Sequence, residues 1–146
     1  MVIVVQRVAG AAVHVDGAEV ARIGRGLLLL VGIARGDGPS QVETLARQVA
    51  RMRVFPDTEG RLSLRLAEVG GEALAVSQFT LLGDFSKGNR PSFHGAAAPE
   101  EARPLVDAFV RALETELGRG VPTGVFGADM RVWLENDGPV TFVLGA

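Results

Sequence analysis

Only two segments of this chain repeat their apolar residues at helical spacing, namely residues 40–52 and 99–117. Most other apolar residues lie in short runs bounded by glycine, proline or Asp-Gly pairs, which is typical of β-strands. Two helices cannot cover both faces of so many strands. We therefore predict one mixed α/β domain over residues 1–146, with β-sheets layered on the two helices as a three-layer β-β-α sandwich.

The strand predictions follow from the apolar runs and the breaks between them. Asp16-Gly17 is typical of a hairpin turn, because both positions tolerate positive φ. A bend or bulge is predicted at Ala9-Gly10-Ala11, and a tight turn between two strands at Asn136–Pro139. The predicted strands are Val2–Val5, Val13–Val15, Ala18–Ile23, Gly26–Ile33, two short strands within Val54–Leu64, Leu74–Leu82, Met130–Leu134 and Val140–Leu144.

The helix boundaries have their own signals. Ser40 followed by Glu43 predicts a capping box at the start of the first helix. Pro99, followed by two glutamates, predicts the start of the second helix, and Gly118 predicts its end.

Composition limits the chemistry that the chain can perform. It has no cysteine, no tyrosine and only two histidines, His14 and His94. A thiol nucleophile, a disulfide framework and a thiolate metal site are excluded, and we expect neither a metal nor a cofactor. A Ser77–His94–Asp84 triad can be written down but is disfavoured, because no Gly-x-Ser-x-Gly turn surrounds any serine.

Charge and hydropathy limit the partners. The formal net charge is −2, whereas a protein that holds a long duplex is normally basic, so we expect no DNA partner. This leaves a single nucleotide end as a possible ligand. No apolar run reaches the 18 residues of a membrane span, and no secretory leader precedes the first strand. We expect a cytoplasmic protein with no membrane partner.

Polar residues interrupt the apolar run Leu74–Leu82. A buried hydroxyl without a partner costs about 1–3 kcal/mol, so Ser77 and Thr80 need hydrogen-bond partners. Either they satisfy neighbouring backbone groups, or the end of this strand offers hydroxyl and N–H groups to an oxyanion. The residues alone leave both interpretations open.

Three further segments have two interpretations each. Asn136–Thr141 fits either a plain turn with proline opening the next strand or a turn whose Gly-Pro bond is cis. Gly88–His94 combines a cation, a hydroxyl, an aromatic ring and a histidine, which suits either nucleotide contacts or an ordinary surface loop. Arg7 fits an exposed arginine at a strand end as well as a functional residue.

Several collinear segments together resemble the D-aminoacyl-tRNA deacylase family, and the resemblance covers essentially the whole chain. They are Gln6-Arg7-Val8, Gly26-Leu27-Leu28, Ser77-Gln78-Phe79-Thr80-Leu81, Arg90-Pro91-Ser92-Phe93, Thr123-Gly124-x-Phe126-Gly127-Ala128-Asp129-Met130 and Asn136-Asp137-Gly138-Pro139-Val140-Thr141.

This resemblance implies a homodimeric hydrolase that cleaves the ester between a D-amino acid, or glycine mischarged on tRNA-Ala, and the 3′ acceptor end of tRNA. It implies that Ser77, Gln78, Phe79 and Thr80 line the catalytic pocket. It also implies that Gly138-Pro139 has a cis peptide bond, enters the partner subunit's active site and excludes L-aminoacyl groups. Arg7 matches the family arginine that holds this dipeptide in place.

The resemblance also implies a mechanism in which a ribose hydroxyl of the tRNA handles the proton. A covalent role for Thr80 is the less favoured route, because no base is evident beside it. The chain thus fits an RNA-editing enzyme, with a small-molecule esterase using Ser77 or Thr80, or a non-catalytic RNA-end binder, as alternatives. Lys87, Arg90 and the arginines of residues 47–65 are candidate phosphate contacts.

Overall fold

The computed structural model describes residues 1–146 as a mixed α/β fold with two main helices, which confirms the predicted class. In chain order the elements are β1 (Val2–Val15), β2 (Ala18–Ile23), β3 (Gly26–Gly32), α1 (Pro39–Arg51), β4 (Arg53–Pro56), β5 (Leu62–Arg65), a 3₁₀ turn (Leu66–Val69), β6 (Glu72–Ser77), a second 3₁₀ turn (Phe79–Leu82), α2 (Pro99–Leu117) and β7 (Arg131–Gly145).

The five-stranded main sheet is built on β1. β7 pairs antiparallel with β1 from Val2–Gly145 to His14–Arg131. β3 pairs with the first half of β1 and β2 with the second half. β7 pairs with both halves of β1. The strands β2 and β3 therefore lie end to end on the other edge of β1, opposite β7. β6 then joins parallel to β3.

The long β1 strand differs from the two strands predicted for this part of the chain. It runs through Ala9-Gly10-Ala11 without ending, and the predicted irregularity survives only as a shift in its register with β7 between Val8 and Gly10. The neighbouring strands hold the backbone extended here, so the local bend signal does not divide the strand. The Asp16-Gly17 hairpin is present, with φ of 51° and 79° at the two residues.

The two faces of the main sheet bury separate cores. On one face, Ile3, Val5 and Leu29 belong to a cluster that also contains Leu45 of α1 and Phe109 of α2. Both helices therefore cover the same face of the sheet.

The opposite face holds a smaller cluster, which includes Leu28, Leu74 and Val76. Met130 lies just before β7 and Val132 lies near its beginning. Both pack against the same cluster. In a flat sheet the edge strands β6 and β7 would stand about 14 Å apart, three strand spacings. Val76 of β6 nevertheless lines one cavity together with Met130 and Val132, so the main sheet is curled around this face.

β4 and β5 form a separate two-stranded sheet, and Val54 and Phe55 of β4 lie in the core on the helix side. The three-layer β-β-α arrangement stays a prediction. Neither helix combines the length and apolar character that crossing a membrane requires.

The predicted capping box at Ser40 and Glu43 is wrong. Helix α1 begins one residue earlier, at Pro39, with Gly38 as the N-cap. The Gln41 side chain accepts a hydrogen bond from the Gly38 N–H at 2.9 Å. Proline suits the first helical position because its missing N–H would be unpaired there in any case. Helix α2 begins at Pro99 and ends before Gly118, as predicted. Gly118 adopts a left-handed backbone conformation.

The predicted tight turn at Asn136–Pro139 is also wrong. Both flanking segments pair with β1, so they lie end to end in β7 instead of side by side. Asn136 pairs with Val8 and Thr141 with Gln6, and residues 137–140 bulge out of the ladder between them. An Asp-Gly-Pro sequence is compatible with a chain reversal and with a bulge. Here a bulge forms, because both flanking segments pair with β1.

Gly26 tests the packing of β3 against β6. A Cβ at Gly26 would lie 1.7 Å from the Glu72 carbonyl oxygen, which is backbone and cannot move aside. We expect Gly26→Ala to lower the free energy of unfolding by about 3 kcal/mol, measured by urea denaturation. Gly95→Ala is the control, since no atom lies within 4 Å of its Cβ position. Equal stability of the two variants would contradict this packing.

Candidate active site

The segment Ser77–Thr80 lies where β6 ends. Ser77 pairs with Val31 at the end of the parallel β3–β6 ladder, and the Gln78 N–H donates to the Val31 carbonyl at 2.7 Å. The chain then enters the 3₁₀ turn Phe79–Leu82, so the strand predicted to reach Leu82 ends at Ser77. The polar side chains therefore lie at a strand end and not inside the sheet.

A cavity of about 590 Å³ opens at this end of β3 and β6. This large cavity is mostly apolar, and Ser77, Gln78 and Phe79 contribute to its wall. Its other lining residues are Val31, Ile33, Arg35, Val76, Phe93, Ala96, Ala97, Ala98, Pro99, Ala102, Val106, Phe126, Gly127, Ala128, Met130 and Val132. The volume is within the range of small-molecule sites.

A second, smaller cavity of about 250 Å³ adjoins it. The two cavities share Ser77, Val106 and Phe126, so the Ser77 side chain lies at their junction. Arg103 and Asp107 of α2 give the smaller cavity its charged groups.

The turn after Ser77 offers free donors. The first N–H groups of a helical turn have no acceptor within the turn, and the Phe79 and Thr80 N–H groups donate to no other atom. The Gln78 side-chain amide donates to the Thr80 hydroxyl. The Phe79 ring packs edge-on against Phe93, with ring centroids 4.9 Å apart. This arrangement can stabilise an oxyanion beside Ser77.

No histidine or carboxylate lines the large cavity. Asp84 accepts hydrogen bonds from the Ser86 backbone N–H and hydroxyl, at 2.8 and 2.9 Å, and these bonds lower the pKa of the Asp84 carboxyl. His14 lies 3.7 Å from Glu19 on the β1–β2 hairpin. His94 is exposed, lies outside the cavity wall and makes no hydrogen bond with Ser77 or Asp84, so the alternative triad of these three residues is not assembled.

Arg7 is a charged residue that is buried almost completely, with 8% of its surface exposed. Its Nη1 donates to the Val54 carbonyl at 2.8 Å, and its Nε donates to the Asp137 carbonyl at 3.1 Å. The Asp137 carboxylate lies 3.3 Å from Nε. The Asn136 amide in turn donates to the Arg7 carbonyl at 3.0 Å. Arg7 thus ties the bulge of β7 to β1 and β4.

The dipeptide at the tip of this bulge is exposed. Gly138 has φ of 128°, and the Gly138–Pro139 peptide bond is cis. A Cβ at Gly138 would lie 2.8 Å from Val140 Cγ2 and 3.1 Å from Arg7 Nη2. Only glycine fits this position without moving its neighbours.

The structure does not bring the two predicted groups of site residues together within one chain. Neither cavity is lined by Arg7, Gly138 or Pro139. Arg7 pairs with Leu27, whereas the large cavity begins at Val31, about 13 Å farther along β3. The bulge and the cavity therefore form two separate surfaces of the chain.

Sequence reasoning missed part of the cavity wall. Helix α2 contributes Ala102 and Val106, and the segment 96–98 lines the cavity just before the helix. A run of small residues beside a polar loop was the available signal, since small side chains leave room for a ligand. No sequence feature indicates that Arg35 lines the cavity.

A family model described as "D-Tyr-tRNA(Tyr) deacylase" matches residues 4–145. The chain belongs to this family. Its curated relatives agree with the match. It is 56% identical over 144 residues to the D-aminoacyl-tRNA deacylase of Chromobacterium violaceum, covering 99% of this chain and 96% of that one. It is 50% identical to that of Porphyromonas gingivalis, with the same coverage.

Solved structures share the family's fold. The chain is similar to a structure titled "c-Myc DNA Unwinding Element Binding Protein", with a TM-score of 0.93, 39% identity and coverage of 100% and 99% of the two chains. A structure titled "Structural Analysis of a probable eukaryotic D-amino acid tRNA deacylase" has a TM-score of 0.85 at 18% identity and covers 98% and 97%. The second likeness concerns the fold alone.

The contact between Gly138 and Arg7 is testable through stability. Gly138→Ala places a Cβ at positive φ and against the Arg7 guanidinium, so we expect about 1–3 kcal/mol of destabilisation in urea denaturation. Gly88→Ala is the matched control, because Gly88 has φ of 138° and no atom within 4 Å of its Cβ position. If both variants lost the same stability, the contacts of this position with Val140 and Arg7 would contribute nothing.

Proposed function

We propose that this protein hydrolyses the ester bond of D-aminoacyl-tRNA and releases the D-amino acid and free tRNA. The observation that carries the proposal is the apolar cavity at the end of β6, with Ser77 and the free Phe79 N–H at its wall and the free Thr80 N–H on the next residue, in a chain of the deacylase family. An aminoacyl ester is already activated, so catalysis consists mainly of positioning it and stabilising the oxyanion.

The mechanism begins with the acceptor end of the tRNA in the large cavity. The ester carbonyl oxygen accepts hydrogen bonds from the Phe79 and Thr80 N–H groups, and Ser77 and Gln78 orient the ester. A water molecule attacks the carbonyl carbon and gives a proton to the vicinal hydroxyl of the terminal ribose. That hydroxyl passes its own proton to the leaving ribose oxygen as the tetrahedral intermediate collapses and the ester bond breaks, so both ribose hydroxyls end neutral. The lack of an imidazole or carboxylate in the large cavity supports this route.

Selectivity for D-amino acids arises, in this proposal, from a homodimer. The Gly138-Pro139 bulge of one subunit enters the cavity of the other, which is consistent with the separation of bulge and cavity within one chain. D- and L-aminoacyl groups differ in the direction in which the side chain leaves Cα, so one rigid wall on the L side excludes every L residue. Arg7 holds that wall in place through its bond to the Asp137 carbonyl.

Glycine has no side chain to meet this wall. We therefore propose that glycyl-tRNA, including glycine mischarged on tRNA-Ala, is also a substrate. The proposed partners are charged tRNA and a second copy of the chain, with no cofactor, and charged tRNA places the protein in the cytoplasm.

The decisive experiment compares matched D- and L-aminoacyl-tRNA with the purified protein. A steric clash of about 3 kcal/mol corresponds to about 100-fold in rate, so we expect the D ester to be hydrolysed at least that much faster. Comparable hydrolysis of free amino-acid esters would instead indicate a small-molecule esterase. Protection of both charged tRNAs without turnover would indicate an RNA-end binder.

The proton route is tested by two changes. We expect the double variant His14→Ala, His94→Ala to keep deacylation within tenfold, which is less than the ~10²–10⁴ lost with a general base. A 2′-deoxy terminal ribose on a 3′-aminoacylated tRNA is expected to remove most of the turnover. A thousandfold loss in the folded histidine variant would rule out the ribose-assisted route.

The wall is tested by Pro139→Ala and Arg7→Ala. The first removes the ring and its fixed φ, and the second releases the bulge, so we expect each to lower the D:L rate ratio by about tenfold or more, or to abolish activity. Pro39→Ala, at the exposed start of α1, is the control and should leave the ratio unchanged. An unaltered ratio and unaltered rates in Pro139→Ala would refute the selection role of Pro139.

A further inference from the structure

Arg35 is the one charged residue that lines the large cavity. It lies three residues after the end of β3, in the segment that continues from Val31 and Ile33, which form part of the apolar wall. All the other residues that line the large cavity are uncharged. Arg35 is also exposed, so a cationic residue that solvent and ligands can reach lies on the wall of a mostly apolar site.

The Arg35 guanidinium has no partner within the protein. None of the eight ion pairs includes it, and its side chain makes no hydrogen bond. By contrast, Arg47, Arg61 and Arg65 are each paired with a glutamate, and none of the arginines of residues 47–65 lines a cavity. Arg35 is free to bind an anion at the cavity.

The backbone that carries Arg35 is held firmly. The Arg35 N–H donates to the Gly95 carbonyl at 2.8 Å, and the Ala97 N–H donates to the Ile33 carbonyl at 3.0 Å. Asp37 accepts the Ala34 N–H at 2.6 Å. These bonds join the end of β3 to the segment that lines the cavity just before α2, so the position of the Arg35 Cα is fixed relative to the cavity.

An apolar cavity with one cation suits a ligand with a flat apolar body and one anionic group. A nucleotide has this form, since the faces of its base are flat and largely apolar and its phosphate requires a cation. In a terminal nucleotide the 5′-phosphate and the esterified hydroxyl lie on opposite sides of the ribose. With the ester at Ser77, the phosphate requires a cation elsewhere on the wall.

We propose that Arg35 binds the 5′-phosphate of the terminal nucleotide of the aminoacyl-tRNA. The inference rests on the proposed function, because the ester at Ser77 fixes which way the nucleotide lies. Arg35 is thus a specificity-determining residue that distinguishes a nucleotide ester from a nucleoside ester.

Calorimetric titration with adenosine 5′-monophosphate and with adenosine tests the contact without catalysis. The two ligands differ only in the phosphate. One charge-assisted hydrogen bond corresponds to about tenfold in affinity, so we expect the wild type to prefer the monophosphate by that factor. Arg35→Gln should remove the preference, and Arg35→Lys, which keeps the charge, should retain most of it.

Arg111→Gln is the matched control, since Arg111 is an exposed arginine on α2 that lines neither cavity and has no ion pair. It should preserve the preference in full. Equal affinities for the two ligands in the wild type, or an unchanged preference in Arg35→Gln, would overturn the inference.

Kinetics with 3′-O-D-phenylalanyl adenosine and its 5′-monophosphate separate this inference from the proposed function. For Arg35→Gln we expect a tenfold rise in KM for the monophosphate ester, with a much smaller change for the nucleoside ester and little change in kcat. Deacylation with no phosphate preference would overturn the inference alone. Absence of deacylation by the wild type, with the phosphate preference intact in binding, would overturn the proposed function while supporting the contact.

Discussion

Continuous antiparallel pairing along β1 is the constraint on which the rest of the structure depends. One edge of β1 is occupied by β7 and the other by β3 and β2 in succession. The cavity needs the end of β3 beside β6, and the bulge needs the register of β7, so both positions are set by the same strand. A slip of one residue in either ladder would turn every side chain to the opposite face.

Arg7 connects this ladder to the bulge. A buried guanidinium is costly unless its hydrogen bonds are satisfied, and here two backbone carbonyls from β4 and the bulge accept them. Breaking a hydrogen bond to a buried charge costs about 1–3 kcal/mol or more. The bulge is therefore held by an interaction that only the folded chain can supply, because its donor and acceptor are 130 residues apart.

The strands and helices with strong local patterns could be predicted from the sequence. Gly26–Ile33 is one example, since its continuous apolar run is typical of a strand buried on both faces. Helix α2 is another, since its apolar periodicity determines which side it buries. The start of α1 was misjudged because Gly38 and Ser40 are both acceptable caps. The bulge in β7 was misjudged because its pairing partner, β1, is more than 120 residues away in sequence. Ser77–Thr80 and the Arg7–Gly138 pair were identified through resemblance, whereas Arg35 requires the cavity itself, which is made by four distant segments.

The large cavity contains no side chain that changes its charge near neutral pH, since its one charged residue is an arginine. In a reaction at this site, the dependence of rate on acidity would therefore come from the substrate: the α-amino group of the ester, the ribose hydroxyl and the attacking water. No side chain of the cavity wall in such an enzyme would gain or lose a proton near neutral pH. Its rate would follow the hydroxide concentration and the protonation of its own substrate, and natural variation at the cavity wall would alter affinity more readily than the shape of the pH profile.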